Sequence, residues 1–335
     1  MTSPTIQSFD FDHYKDIRVV FMGTPEFSST ILEHLLHIHI NIVAVYTQMD
    51  KPVGRQQELQ APAVKVLTQG TASIPVEQPP QWDDAAIEQF KSYQPDLVIV
   101  AAYGKILPKK FLEIPRLGCI NIHTSLLPRW RGASPVQNAL LAGDTTTGVT
   151  LMLMDEKMDT GPIIDQITVP IESSDTTPTL LDKLAQASIP LLDQILPQWL
   201  DRTRTTKPQS AEGITLCQMI EREDGRIFWN EDIIALERKY RALAPWPGLF
   251  FYWQKDRKNP PLRIKLIEAS FRPDTPSNKP PHPLGTAFLT PDEKALAIQC
   301  SGGVIIPTTL QVAGKKSVSS KEFISGYPEA IDTVL

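Results

Sequence analysis

The stretch Ile17-Arg18-Val19-Val20-Phe21-Met22-Gly23-Thr24-Pro25-Glu26 opens the folded part of the chain. Its apolar run has the length of a buried strand, and Gly23 ends it. Thr24 reads as a helix N-cap, Pro25 as the first helical residue, and Glu26 as an acid near the positive end of the helix dipole. Phe27, Ile31, Leu32, Leu35 and Leu36 follow at helical spacing, and a second strand comes at Ile42 to Tyr46. Strand, turn, helix and strand in this order form the repeating unit of an α/β layer.

The alternation continues outward from that unit. Helices are expected near 62–67 and 83–92, an apolar strand at 97–101, a strand at 119–123 and a helix near 134–142. This order predicts an α/β fold with a doubly wound, mainly parallel sheet over residues 15–200. Ligands of such sheets collect at the carboxyl ends of the strands, where Asn121 and His123 lie. Gly23-Thr24-Pro25-Glu26 occupies the position of a dinucleotide-binding turn but offers one glycine, an amide-less proline and a repelling glutamate. A nucleotide-phosphate cradle, and with it a dehydrogenase, is therefore disfavoured.

After residue 200 the pattern changes. Residues 201–213, DRTRTTKPQSAEG, are polar and read as a linker. Residues 214–335 hold one helix near 232–242 and otherwise short strands, at 250–253, 262–269, 295–299 and 303–306. This is a smaller, β-rich, barrel-like domain.

The bulk composition agrees with two domains, since 335 residues divide into units of roughly 100–200. With 41% hydrophobic and 21% charged residues the chain has the composition of a soluble protein, and no apolar run is long enough to cross a membrane. The N-terminus lacks a basic segment followed by an apolar one, so a cytoplasmic location is expected. Cys119, Cys217 and Cys300 are too few and too far apart for a zinc cage or disulfide framework. His34, His37 and His39 read as surface histidines near a helix end, not as metal ligands. A net charge of -5 weighs against unselective nucleic-acid binding but leaves room for a local basic face.

The chemistry concentrates between 121 and 161. Asn121 and His123 stand two apart in a strand and so share a face. An amide donor beside an imidazole suits a carbonyl whose oxygen becomes negative under attack. Asp159 is placed to orient the imidazole or relay a proton. No serine or cysteine sits in a nucleophile motif, so the nucleophile belongs to a substrate. By spacing alone, the trio also fits a strand-end asparagine, a hydrogen-bonded histidine and an ordinary turn aspartate.

The strings FMGTPEFS (21–28), VYTQMDKPVGR (45–55), AAYGKILP (101–108), GCINIHTSLLPRWRGASPVQNALLAGD (118–144), MDEKMDTGPI (154–163), PWPG (245–248) and LQVAGKKSVS (310–319) resemble the folate-dependent formyltransferase family. The resemblance spans nearly the whole chain, and PWPG with AGKK is similar to the tRNA-directed members. It implies a Rossmann-like catalytic domain and an OB-like C-terminal β-barrel that binds tRNA. It further implies transfer of a formyl group from 10-formyltetrahydrofolate to the amine of methionyl-initiator-tRNA, with no metal and no ATP, by a monomer. Asn121, His123 and Asp159 match the family's catalytic residues, and Ser125, Leu126, Leu127 and Pro128 match its folate-holding loop.

Arg55 matches the arginine of a loop that probes the acceptor end of tRNA, although Gln57-Glu58 replace the lysine pair that commonly follows. Arg129 and Arg131 adjoin the catalytic loop and are the other tRNA candidates. Arg238, Lys239, Arg241, Lys315 and Lys316 read equally as phosphate contacts or as solvated charges. Competing readings are a sugar-nucleotide formyltransferase, a 10-formyltetrahydrofolate hydrolase, and an RNA-binding module without activity.

Overall fold

The computed structural model describes residues 11–53, 57–70, 74–255, 258–274, 282–291 and 294–335. The chain divides into two compact units. The first comprises Met1–Val136, Thr145–Ile171 and Thr179–Gln218, and the second Gln137–Asp144, Glu172–Pro178 and Met219–Leu335.

The first unit is built on a seven-stranded sheet. Across it run Ile163–Pro170, Thr146–Leu153, Cys119–His123, Leu97–Ala101, Val19–Gly23, Ile42–Tyr46 and Val76–Glu77. The last five are parallel to one another, as the alternation of strands and helices predicts. Val19–Gly23 and Leu97–Ala101 are buried at every residue, which explains why both read as unbroken apolar runs. One side of the sheet carries an aromatic core in which Tyr46, Phe90, Tyr103 and Phe111 are fully buried.

Two features depart from expectation. The sheet continues into Thr146–Leu153 and Ile163–Pro170, which pair antiparallel with their neighbours. The first helix, Glu26–His37, is N-capped by Pro25 without a side-chain bond, and not by Thr24. The Thr24 hydroxyl instead donates to Tyr103 O at 3.0 Å and accepts from Gln48 N at 3.4 Å, so it ties strand ends together. By contrast, Asp83 caps Asp84–Ser92 through Ala86 N at 2.9 Å, as the sequence implies. Gly23 is required where it stands, because a Cβ there would meet Ser28 Cβ at 2.5 Å and Ala101 O at 2.9 Å.

The second unit is an antiparallel, nearly closed barrel. Its order is Phe250–Trp253, Leu262–Pro273, Gly303–Val312, Leu296–Cys300, Thr286–Leu289 and Thr333–Val334. Asp232 caps the helix Ile233–Ala242 through Ile234 N at 2.9 Å. Among the described residues no helix is long and apolar enough to cross a membrane.

Candidate active site

Asn121 and His123 lie in the second half of the strand Cys119–His123, paired with Met152 and Thr150 respectively. The neighbouring strand runs the other way, so the 154–162 loop leaves at the Cys119 end, where Met154 N donates to Cys119 O. The loop then folds back and delivers Asp159 to Asn121. The Asn121 Nδ2 donates to Asp159 Oδ1 at 3.4 Å, and His123 Nδ1 stands 3.7 Å from the same oxygen. The trio expected from sequence is thus assembled in space.

A second loop closes over it. His123 Nε2 lies 3.0 Å from Trp130 O, and Gly132 N donates to Asp159 Oδ2 at 2.8 Å. A carbonyl only accepts, so Nε2 carries the hydrogen and neutral His123 presents the Nδ1 lone pair to the Asp159 side. Burial pushes the His123 pKa below its ordinary value of 6.5, against the opposing pull of the Asp159 charge. His123 is therefore neutral at pH 7 and ready to accept a proton at Nδ1. Asp159 has φ 53° and Trp130 φ 60°, left-handed conformations that persist only where surroundings hold them.

The surroundings are visible. Leu216–Cys217 pairs with Arg131–Gly132, and Trp130 N donates to Thr215 Oγ1 at 2.8 Å. Gly132 has φ 127°, and a Cβ there would meet Cys217 O at 2.0 Å, so only glycine permits this approach. The Cys217 thiol is buried against the carbonyls of Trp130 and Arg131, and burial raises its pKa. All three cysteines are free and buried.

The Ser125–Pro128 loop is fixed mainly by Thr150 and Gln166 on the neighbouring strands. Ser125 Oγ donates to Arg129 O at 2.6 Å, and Leu127 N donates to Thr150 Oγ1 at 3.1 Å. Gln166 Nε2 donates to Leu127 O at 3.0 Å and to Thr150 Oγ1 at 2.8 Å, while the Thr150 hydroxyl donates to Ser125 O at 2.6 Å. The Leu127–Pro128 peptide is cis. Ser125 and Leu127 are buried, so Leu126 and Pro128 are the half-exposed members of the set. Ile106, on the loop after Leu97–Ala101, and Met158, beside Asp159, are exposed apolar side chains.

The basic candidates divide. Arg55 lies outside the described residues, and Lys51–Val53 with Glu58–Gln60 form an antiparallel hairpin on either side of it. The Arg129 guanidinium lies 4.3 Å from the Trp130 ring centroid. Arg131 is engaged by Gln209, through Nε at 2.9 Å and Nη2 at 2.7 Å. Lys239 and Arg241 pair with Glu231 and Glu237, and Lys315 donates to Tyr327 Oη, so these read as internal contacts of the second unit. His34 pairs with Asp193 at 2.7 Å.

Sequence reasoning missed the partners that hold the trio: the Trp130 carbonyl, the Gly132 amide, Thr215 and Gln209. The first two are backbone groups and leave no side-chain signal. Gln209 sits in a polar run that reads as a linker.

The histidine–carboxylate–amide cluster lies on the mainly parallel sheet of the first unit, within the part of the chain that a transferase family matches. The family described as Formyl transferase matches residues 17–196, and its C-terminal domain matches 219–328. The chain belongs to the formyl transferase family. Relatives matched over nearly the full length include methionyl-tRNA formyltransferases. That of Magnetococcus marinus is 38% identical over 92% of this chain and 95% of its own, and that of Ralstonia nicotianae is 40% identical over 93% and 95%.

Among solved structures, HypX from Aquifex aeolicus in complex with tetrahydrofolic acid has a TM-score of 0.62 at 18% identity, over 94% of this chain and 48% of that one. This chain thus spans about half the length of HypX. An N-formyltransferase from Helicobacter canadensis, complexed with folinic acid and dTDP-3-aminofucose, has a TM-score of 0.60 at 19% identity, over 87% and 98%. At such identities these two share the fold.

Proposed function

We propose that this protein transfers the formyl group of 10-formyltetrahydrofolate to the amino group of methionyl-initiator-tRNA. The observation that carries the chemistry is the cluster in which Asp159 Oδ1 lies near both Asn121 Nδ2 and His123 Nδ1. The acceptor follows from the near-full-length identity to methionyl-tRNA formyltransferases.

The donor supplies a formyl carbon already open to attack by an amine. Asn121 Nδ2 donates to the formyl oxygen as negative charge gathers there. The attacking amine sheds one proton, which His123 accepts at Nδ1 and Asp159 stabilises as the imidazolium forms. The same proton returns to the departing nitrogen as the old C–N bond breaks, so the site ends as it began. An exchange of amide for amine calls on neither metal nor ATP.

Ser125, Leu126, Leu127 and Pro128 hold the donor, chiefly through the shape of their loop and the exposed parts of Leu126 and Pro128. Residues 15–200 carry catalysis, with the 207–217 segment bracing the loops around Asp159, and the barrel within Met219–Leu335 binds tRNA. Arg55 and Arg129 meet the RNA, whereas the bonds of Arg131 to Gln209 favour a structural share in its work. On this reading the protein acts in the cytoplasm, where initiator tRNA is charged.

The test offers one donor to two acceptors, methionine-charged initiator tRNA and an amino-sugar nucleotide. Formyl recovered on methionine alone supports the reading. Formyl recovered on the sugar amine, or lost to water, overturns the acceptor.

A further inference from the structure

Gln209 is half-buried in the polar segment after the long helix Thr177–Leu200. Its amide is used on both sides. Oε1 accepts from Arg131 Nε at 2.9 Å and Nη2 at 2.7 Å, while Nε2 donates to Asp159 O at 2.9 Å and Gly161 O at 2.8 Å. The orientation is settled by the partners, because a flipped amide would set its NH2 against a guanidinium and its oxygen against two carbonyls.

One side chain therefore joins the two loops that meet at Asp159. One loop contributes the Gly132 amide that fixes Oδ2, and the other contributes Asp159 itself, in a left-handed conformation. The segment around Gln209 is anchored independently, because Lys207 and Ile163 exchange two backbone bonds of 2.8 Å. The clamp thus rests on a fixed strand and not on a free tail.

We propose that Gln209 is a positioning residue that sets the Asp159 carboxylate against His123 and Asn121. This rests on the catalytic reading of the trio. Gln209 touches none of the three reacting side chains directly and acts through the Asp159 backbone. A displacement of about 1 Å at a reacting group lowers turnover by about a hundredfold.

Gln209→Glu is the discriminating variant. It is isosteric, keeps the contact with Arg131, and has no hydrogens for the carbonyls of Asp159 and Gly161. Gln209→Leu removes both halves. Two readouts are taken on the full-length chain: the titration of the His123 ring by NMR, assigned by its loss in His123→Ala, and formylation of charged initiator tRNA.

In Gln209→Glu the loosened Asp159 carboxylate raises the His123 pKa less, so the ring titrates at lower pH than in the wild type. Turnover falls about a hundredfold, while the Michaelis constant for the donor stays within about threefold. An unmoved His123 titration in a folded Gln209→Glu protein overturns the proposal, whatever happens to turnover. If Gln209→Leu unfolds, the isosteric variant still decides. A wild-type protein that formylates no methionyl-tRNA would sink the functional reading, and the titration would still judge the clamp.

Discussion

Asp159 Oδ1 stands 3.7 Å from His123 Nδ1, too far for a hydrogen bond and close enough for its charge to act on the ring. The other ring nitrogen is held by Trp130 O at 3.0 Å. The resting histidine therefore keeps one lone pair in reserve beside a carboxylate. In the proposed mechanism that arrangement suits His123 to proton acceptance and leaves the hydrogen bond to the formyl oxygen with Asn121.

The first prediction concerns pH. Burial lowers the His123 pKa below 6.5, and the neutral ring is the active form in the proposed mechanism, so kcat/KM rises with pH to a plateau with its midpoint below 6.5. Asp159→Asn removes the charge that raises this pKa and moves the residual acid limb further down. For stability, the unfolded chain holds the proton between the folded value and 6.5 while the folded chain does not. Stability contributed by this residue thus falls as pH drops from 6.5 through that window, which denaturant titrations at several pH values will detect. An acid limb with its midpoint above 6.5 contradicts the neutral resting state.

Asn121→Ala removes the amide donor with little change in shape. Turnover should fall by about 10²–10³, with the Michaelis constants for donor and tRNA nearly unchanged. Steady-state kinetics with each substrate varied in turn checks this. A loss confined to the Michaelis constant would reassign Asn121 to binding.

Gly23→Ala tests the fold rather than the site. The added Cβ would lie 2.5 Å from Ser28 Cβ and 2.9 Å from the Ala101 carbonyl, one of them backbone in a fully buried strand. Overpacking of this kind costs about 1–3 kcal/mol, seen as a lower urea midpoint at unchanged slope. A wild-type midpoint would mean that the strand–helix turn is looser than described.

Much of this was legible in the sequence, for identifiable reasons. Val19–Gly23 and Leu97–Ala101 are buried on both faces, so they appear as unbroken apolar runs. Asn121 and His123 share a face through local strand geometry, and family strings carried their assignment. What stayed hidden depends on groups distant in sequence or lacking a side chain. The direction of Thr146–Leu153 is set by its partner strand, not by its composition. Thr24 has the chemistry of a cap but spends its hydroxyl on Tyr103 O. Arg131 looks like a phosphate ligand until Gln209, 78 residues away, takes its guanidinium.

The most direct measurement is a single-turnover assay with excess enzyme, saturating 10-formyltetrahydrofolate and methionine-charged initiator tRNA, comparing wild type with Asp159→Ala. The account predicts formylmethionine on the RNA for the wild type. In the variant the rate should fall by about 10²–10⁴, with charged tRNA still bound. No formylmethionine from the wild type, or a variant rate within about threefold (roughly 0.7 kcal/mol of barrier), would contradict it.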